Sequence, residues 1–219
     1  MPTDANPLIQ NAYRPIPWWS LAIFLLALPV IGFGVVQVLP DHGMMTVLGA
    51  FFVIGFLAVI VAVAPLGWGA IPALGLRPVN WKYPVFGALG TLALSIAVSQ
   101  SGLEPQGMKQ VIEIVREPRQ LAISLLLLAV LAPIVEELVF RGLVYGWIAG
   151  RWNSLAAWLI SSLLFAAAHM EPAHVILVLP LGLLFGWLRR RTDSLLPSLC
   201  AHILNNGFAL LAAVYLPDL

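Results

Sequence analysis

Charge is scarce in this chain. Only 10% of its 219 residues are Asp, Glu, Lys or Arg, whereas soluble domains carry about 25%. There is one cysteine, Cys200. It cannot form a disulfide within the chain, and in its apolar stretch it reads as an inert, packed thiol. The formal net charge is +1, with no basic cluster of the nucleic-acid-binding kind, so composition argues against a polyanionic partner and against nucleic acid. Internal repeats, low-complexity tracts, N-x-[ST] acceptors and the zinc spacing H-E-x-x-H are all missing. No small-residue cleavage site closes the first apolar run. That run is too long for a signal-peptide core, so it reads as a retained span.

What is abundant is hydrocarbon: 61% of the residues are hydrophobic. A span takes about 20 apolar residues, and the candidates are 18–39, 45–65, 84–100, 120–148, 154–170, 174–189 and 195–216. The expectation is an all-α, polytopic transmembrane helical bundle of about seven spans, with residues 1–219 as a single membrane domain. Pro40-Asp41-His42-Gly43 separates the first two spans, and Pro72, Gly75, Pro78 and Pro84 mark the next break. The polar stretch 104–118 carries Val111, Ile112, Ile114 and Val115. It reads as an interfacial or connecting helix.

Positive charge sets the orientation. In a seven-span arrangement Arg14, Arg77, Lys82, Arg151 and the Arg189-Arg190-Arg191 run fall on one side. Lys109, Arg116 and Arg119 fall on the other, among Glu104, Glu113 and Glu117, and with Asp41, Glu171 and Asp218. The Lys/Arg bias predicts a cytoplasmic N-terminus, and Trp18, Trp19, Trp81, Trp147, Trp152 and Trp187 lie where an aromatic belt on that side belongs. The arginine run reads as a topology determinant, with anionic-lipid contact secondary. Short loops and the missing glycosylation acceptor fit a bacterial inner membrane.

Against this background the string LLLLAVLAPIVEELVFRGLVYGW stands out, because it places Glu136, Glu137 and Arg141 inside a spanning segment. A carboxylate in hydrocarbon costs several kcal/mol, so an intramembrane ionisable cluster is a functional-site hypothesis by default. Partners come from later helices: Phe165 and His169 at i, i+4, then His202 and Asn206 at i, i+4. Counting from the Lys/Arg-rich side puts Glu136 and His169 about 22 Å deep, His202 about 12 Å and Asn206 about 18 Å. All four fall in one slab, which implies a polar cavity shared by the fourth, fifth and seventh spans. Glu137 and Arg141 are also i, i+4, with the acid N-terminal, the favoured order for a pair. Glu136 is rotated by about 100° from Glu137. One carboxylate can therefore be neutralised by Arg141 while the other faces the cavity, and spacing does not say which.

A carboxylate held out of water is a good general base. A histidine can hold the same water or relay its proton, and a second histidine with an amide can donate to a developing oxyanion. Together these groups would support hydrolysis of a peptide bond. The competing version is a divalent metal, such as zinc, at Glu136, His169 and His202 with a position left for water. No serine or cysteine forms a nucleophile arrangement, since Cys200 points away from His202 on a helix. His42 and His174 read as interfacial, and Asn205 and Glu171 have no assigned role.

The motif series Glu136-Glu137-x-x-x-Arg141, Phe165-x-x-x-His169 and His202-x-x-x-Asn206 resembles the CAAX-protease and bacteriocin-processing (CPBP, or Abi) family. The resemblance covers roughly 120–210; residues 1–119, the N-terminal spans and connecting segment, carry no matching motif. It implies an intramembrane endopeptidase in which Glu136 activates water with His169 assisting. His202 and Asn206 would bind the oxyanion, with Glu137, Arg141 and Phe165 in support. The implied partners are the lipid bilayer and a membrane protein or peptide substrate, lipidated in some members. The alternative is a non-catalytic transporter or scaffold with a polar cavity. A carrier favours broken helices at related positions in two halves, whereas these polar groups crowd into the second half.

Overall fold

In hydrocarbon every backbone N–H and C=O must be paired inside the protein, which leaves an apolar chain of this kind the α-helix. The computed structural model describes residues 15–39, 43–103, 105–115 and 117–216, and among them there is no strand. The helices are α1 (Trp18–Val38), α2 (Met44–Val63), α3 (Lys82–Ser99), α4 (Gln106–Val115), α5 (Arg119–Arg151), α6 (Ser154–Ala167), α7 (Pro172–Thr192) and α8 (Leu196–Tyr215). α2 runs on through a 3-10 turn, Ala64–Gly69, and a short helix, Ala70–Ala73, with a bend at Gly67 where φ is 53°.

The chain is thus an all-helical, polytopic integral membrane protein. Among the described residues six helices are long and apolar enough to cross a bilayer. The seventh expected span is α6, whose 14 residues rise only about 21 Å. Residues 104–118 do form a helix, α4. Its Val115 is fully buried and packs with Leu121 and Leu210, which ties α4 to the start of α5 and the last turns of α8.

α5 is the central element. It touches α2 on one side and α6 and α8 on the other; α6 packs along α7, and α3 lies across α7 and α8. Two of the positive charges expected on one side, Arg77 and Arg189, meet at Asp193. Arg77 Nη1 donates to Asp193 at 2.7 Å, Ser194 Oγ to the Arg77 carbonyl at 2.7 Å, and Leu195 N–H to the Gly75 carbonyl at 2.7 Å. The 74–77 and 193–195 segments therefore meet at one end of the bundle. At the other end the Glu171 carboxylate accepts from the backbone N–H groups of Gln106 and Gly107, capping the start of α4. Arg14, Asp41, His42, Glu104, Arg116 and Asp218 lie outside the described residues. Cys200 is exposed rather than packed: two residues from His202 on α8, it points to the opposite side of the helix.

Small residues let α5 approach its neighbours closely. Gly142, Gly146 and Gly150 recur at i, i+4, i+8, the spacing that brings helices into close contact in membranes. A methyl group at Gly142 would stand 2.9 Å from Leu74 Cδ2, one at Gly146 2.7 Å from Ile16 Cγ1, and one at Gly150 would strike Pro15. Each exceeds what a packed interface tolerates, so Gly146→Leu should lower stability by about 1–3 kcal/mol through overpacking. Thermal unfolding in detergent micelles measures this, and an unchanged midpoint would contradict the packing described.

Candidate active site

The site begins with a distortion of α5. Pro133 has no N–H to give to the preceding turn, and the helix passes from a π-helical stretch (Leu125–Leu131) through one α turn (Ala132–Glu137) into a second π-helical stretch (Leu138–Val144). Such π turns are frequent at functional sites. Each leaves one carbonyl skipped by the backbone donor four residues on. The Ala132 N–H reaches Leu127 rather than Leu128, and Asn206 Nδ2 on α8 donates to the Leu128 carbonyl at 3.0 Å. The Tyr145 N–H reaches Phe140 and Gly142 rather than Arg141, and Arg189 Nε on α7 donates to the Arg141 carbonyl at 3.1 Å.

Glu136 and Glu137 sit in the α turn between these two points. Glu137 and Arg141 are both fully buried and form an ion pair at 3.0 Å. Arg141 Nη2 also donates to the Gly182 carbonyl at 2.8 Å, which accepts a second bond from Ser162 Oγ at 2.9 Å. His202 Nδ1 lies 3.2 Å from the same Glu137 oxygen; an ionised carboxylate only accepts, so the ring N–H donates. That bond fixes the ring with Nε2 toward Glu136, 3.6 Å from its Oε2. The Glu136 side chain is 23% exposed. One carboxylate is therefore sealed against Arg141, and the other is left partly open beside an imidazole.

Aromatic rings close the cluster. The Arg141 guanidinium lies 4.4 Å above the Phe165 ring, and Phe185 stacks on His202 at 4.6 Å. Phe165 meets His202 at 5.6 Å and His169 at 5.2 Å, edge-on in both cases. His169 occupies the turn after α6, with Nδ1 3.0 Å from the Phe165 carbonyl. The carbonyl only accepts, so Nδ1–H donates and Nε2 stays available. A separate apolar groove of about 450 Å³ runs between α1, α5 and α6, with Leu21, Phe24, Phe140, Trp147 and Leu164 in its walls. Its wall residue Phe140 packs on Phe165 at 5.5 Å.

Glu136, Glu137, Arg141, Phe165 and His202 thus form one contact set, and His169 joins it through Phe165. Asn206 is one turn further along α8, with Oδ1 accepting from Asn205 at 3.2 Å and Nδ2 on Leu128. His202 reaches both glutamates although helix counting placed it about 10 Å shallower. The counting misses because it takes straight α-helices, whereas α5 is π-helical over Leu138–Val144, between Glu136 and its end. His174 is not an isolated interfacial residue, since its ring meets that of His169 at 4.5 Å. Asn205, given no role from sequence, is buried and bonded to Asn206, and Glu171 caps α4. Spacing reasoning also missed Phe185, Gly182 and Ser162, for which periodicity carries no signal. Arg189 is 1% exposed, so the arginine run is not uniformly a surface feature; its i, i+4 relation to Asp193 was the available clue.

The metal version needs Glu136, His169 and His202 to converge. Among the described residues no three His, Cys, Asp or Glu side chains converge as a ligand set. His202 and His169 each commit Nδ1, to Glu137 and to the Phe165 carbonyl, and keep Nε2 for another partner.

This fold and cluster define a polytopic membrane protein with an intramembrane Glu–Arg–His site. Residues 118–208 match the family model described as type II CAAX prenyl endopeptidase, Rce1-like. The chain is 27% identical over 111 residues to a putative membrane peptidase, YdiL, of Bacillus subtilis (strain 168), covering 50% of this chain and 44% of that protein. It is 28% identical over 106 residues to the membrane-embedded CAAX protease MroQ of Staphylococcus aureus (strain USA300), covering 46% and 43%. The alignment spans less than half the length of these relatives. No solved structure matches the chain. These similarities support assigning the segment that carries the site to the CAAX-protease and bacteriocin-processing family.

Removing one member of a buried pair leaves an uncompensated charge, so Arg141→Met should cost about 3–5 kcal/mol. Glu137→Gln/Arg141→Met, which removes both charges, should recover part of the loss. Denaturant unfolding of the two variants in mixed micelles makes the comparison; equal losses would show that the pair is not the source.

Proposed function

We propose that the chain is an intramembrane endopeptidase that hydrolyses peptide bonds of membrane-associated or lipid-anchored proteins and peptides. The observation that carries this reading is the inequality of the two glutamates: Glu136 is partly open and faces His202 Nε2, while Glu137 is sealed by Arg141. The family-model match of residues 118–208 and the names of the similar proteins, a membrane peptidase and a CAAX protease, support it.

In this mechanism a water between Glu136 and the substrate gives its proton to the carboxylate as its oxygen bonds the peptide carbonyl carbon. His169, through its available Nε2, holds the water. Charge develops on the carbonyl oxygen, where Asn206 donates an N–H and the His202 ring, aimed by Glu137, completes the site. Asn206 commits one of its two N–H groups to Leu128 and keeps the other for this role. Collapse breaks the C–N bond, and the proton held by Glu136 passes to the leaving amine. Water exclusion by Phe165 and Phe185 strengthens each of these electrostatic contacts. The bundle end that gathers Arg77, Arg151 and Arg189–Arg191 is the cytoplasmic one by the positive-inside rule, in a bacterial inner membrane. A transporter reading finds no support in two related halves, because the polar groups belong to α5–α8.

The test is cleavage of a membrane-anchored peptide library by purified protein in proteoliposomes. Loss of a positioned general base costs about 10²–10⁴-fold, so Glu136→Gln should lower turnover by that factor and His169→Ala should also reduce it. Wild-type turnover by Glu136→Gln would refute the mechanism. Stoichiometric metal by elemental analysis, with activity lost on chelation and restored by zinc, would replace it with a metal-dependent one.

A further inference from the structure

The proposed mechanism makes no use of Arg189, a fully charged side chain buried to 1% exposure in a membrane protein. Every polar contact it makes is constrained. Nε donates to the Arg141 carbonyl at 3.1 Å, the one skipped by the π turn. Nη1 donates to Asp193 Oδ1 at 2.8 Å. The guanidinium carbon lies 4.8 Å above the Tyr145 ring, on the next turn of α5. Gly75 leaves the space it fills: a methyl there would stand 2.7 Å from the guanidinium carbon. Asp193 is in turn held in a left-handed conformation, φ 53°, and its second oxygen accepts from Arg77 at 2.7 Å.

We infer that Arg189 is a positioning residue for the active site, locked in place by Asp193 and Arg77. This inference rests on the endopeptidase reading. It acts through the backbone of Arg141. The same residue's guanidinium holds Glu137, Glu137 orients His202, and His202 faces Glu136. Arg141 is therefore gripped twice by α7, at its carbonyl by Arg189 and at its guanidinium by Gly182. If the carbonyl is released in a dry environment, the second π turn loses its reason to stay in register. The turn would then relax and carry Arg141 out of line with Glu137. A planar guanidinium can bond a carbonyl and a carboxylate at fixed angles at once; an ammonium is a point charge without that fork.

The experiment compares Arg189→Lys, Asp193→Asn and the exposed neighbour Arg190→Lys in proteoliposomes, with Glu136→Gln in the same assay. A misplacement of about 1 Å costs up to about 100-fold in rate, so Arg189→Lys and Asp193→Asn should lower kcat roughly 10–100-fold with KM within about threefold of wild type. Arg190→Lys should match wild type. Arg189→Lys combined with Glu137→Gln should be no slower than Glu137→Gln alone, because the two act along one chain of contacts. Additive losses would instead indicate a structural role and overturn the inference. Ring-nitrogen NMR of labelled histidine gives a readout independent of turnover: the His202 signals should shift in Arg189→Lys and Asp193→Asn but not in Arg190→Lys. Unshifted His202 signals in folded Arg189→Lys would overturn the inference, whatever the enzyme does. Full turnover by Glu136→Gln together with shifted His202 signals would refute the endopeptidase mechanism and leave the positioning role standing.

Discussion

A backbone carbonyl that loses its helical donor inside a membrane must find another, and α5 has two of them. At Leu128 and Arg141 the π turns pass over the carbonyl, and the missing donors come from other helices, Asn206 on α8 and Arg189 on α7. An unsatisfied group at this depth costs several kcal/mol, so α5 keeps its distorted shape only while α7 and α8 are docked. The single α turn between the two latches is the one that carries Glu136 and Glu137. Local geometry at the carboxylates is in this sense a tertiary property, set by side chains far away in the sequence.

The same economy governs the charges. Glu137 and Arg141 are both sealed, and a bare buried pair of this kind is weak evidence for stability, because desolvation offsets attraction. Here the pair is surrounded by further partners. Arg141 also bonds a carbonyl and lies over Phe165, and Glu137 also accepts from His202. The result is directional. With Nδ1 of His202 committed to Glu137, its other nitrogen has one carboxylate to face, Glu136. A buried ion pair is thereby used to aim an imidazole, which explains why two adjacent glutamates are needed where a simple ion pair needs one.

Much of this was legible in the sequence, and what was not has physical reasons. Glu137 and Arg141 share a helix, so a 3.6-residue period is enough to find their contact. His202 needed a partner on another helix, and depth counting brought it only to the right slab, because counting takes straight α-helices and α5 is π-helical beyond Glu137. Asn206 and Arg189 answer carbonyls, which no side-chain pattern displays; only the Pro133 kink hints that α5 is irregular. His174 follows His169 across a helix break at Glu171-Pro172, where helical periodicity cannot be carried through. The rings of Phe165 and Phe185 illustrate the limit from the other side. Phe165 was found because it precedes His169 by four residues, while Phe185 sits in an apolar run where nothing sets it apart.

The family match begins at residue 118, yet the site's supports extend beyond it. Gly75 gives its carbonyl to Leu195 and its empty side to Arg189; Arg77 completes the Asp193 carboxylate and accepts from Ser194; Ile16 and Leu74 fill the glycine face of α5 directly behind Arg141. Each of these contacts bears on the same two turns of α5. The N-terminal part carries no catalytic motif, but by these contacts it fixes the backbone on which the motif residues stand. A segment cut to 118–208 would retain every side chain assigned to the chemistry. It would lose the surface against which α5 and the 193–195 loop are pressed, and with it the geometry that makes one glutamate different from its neighbour.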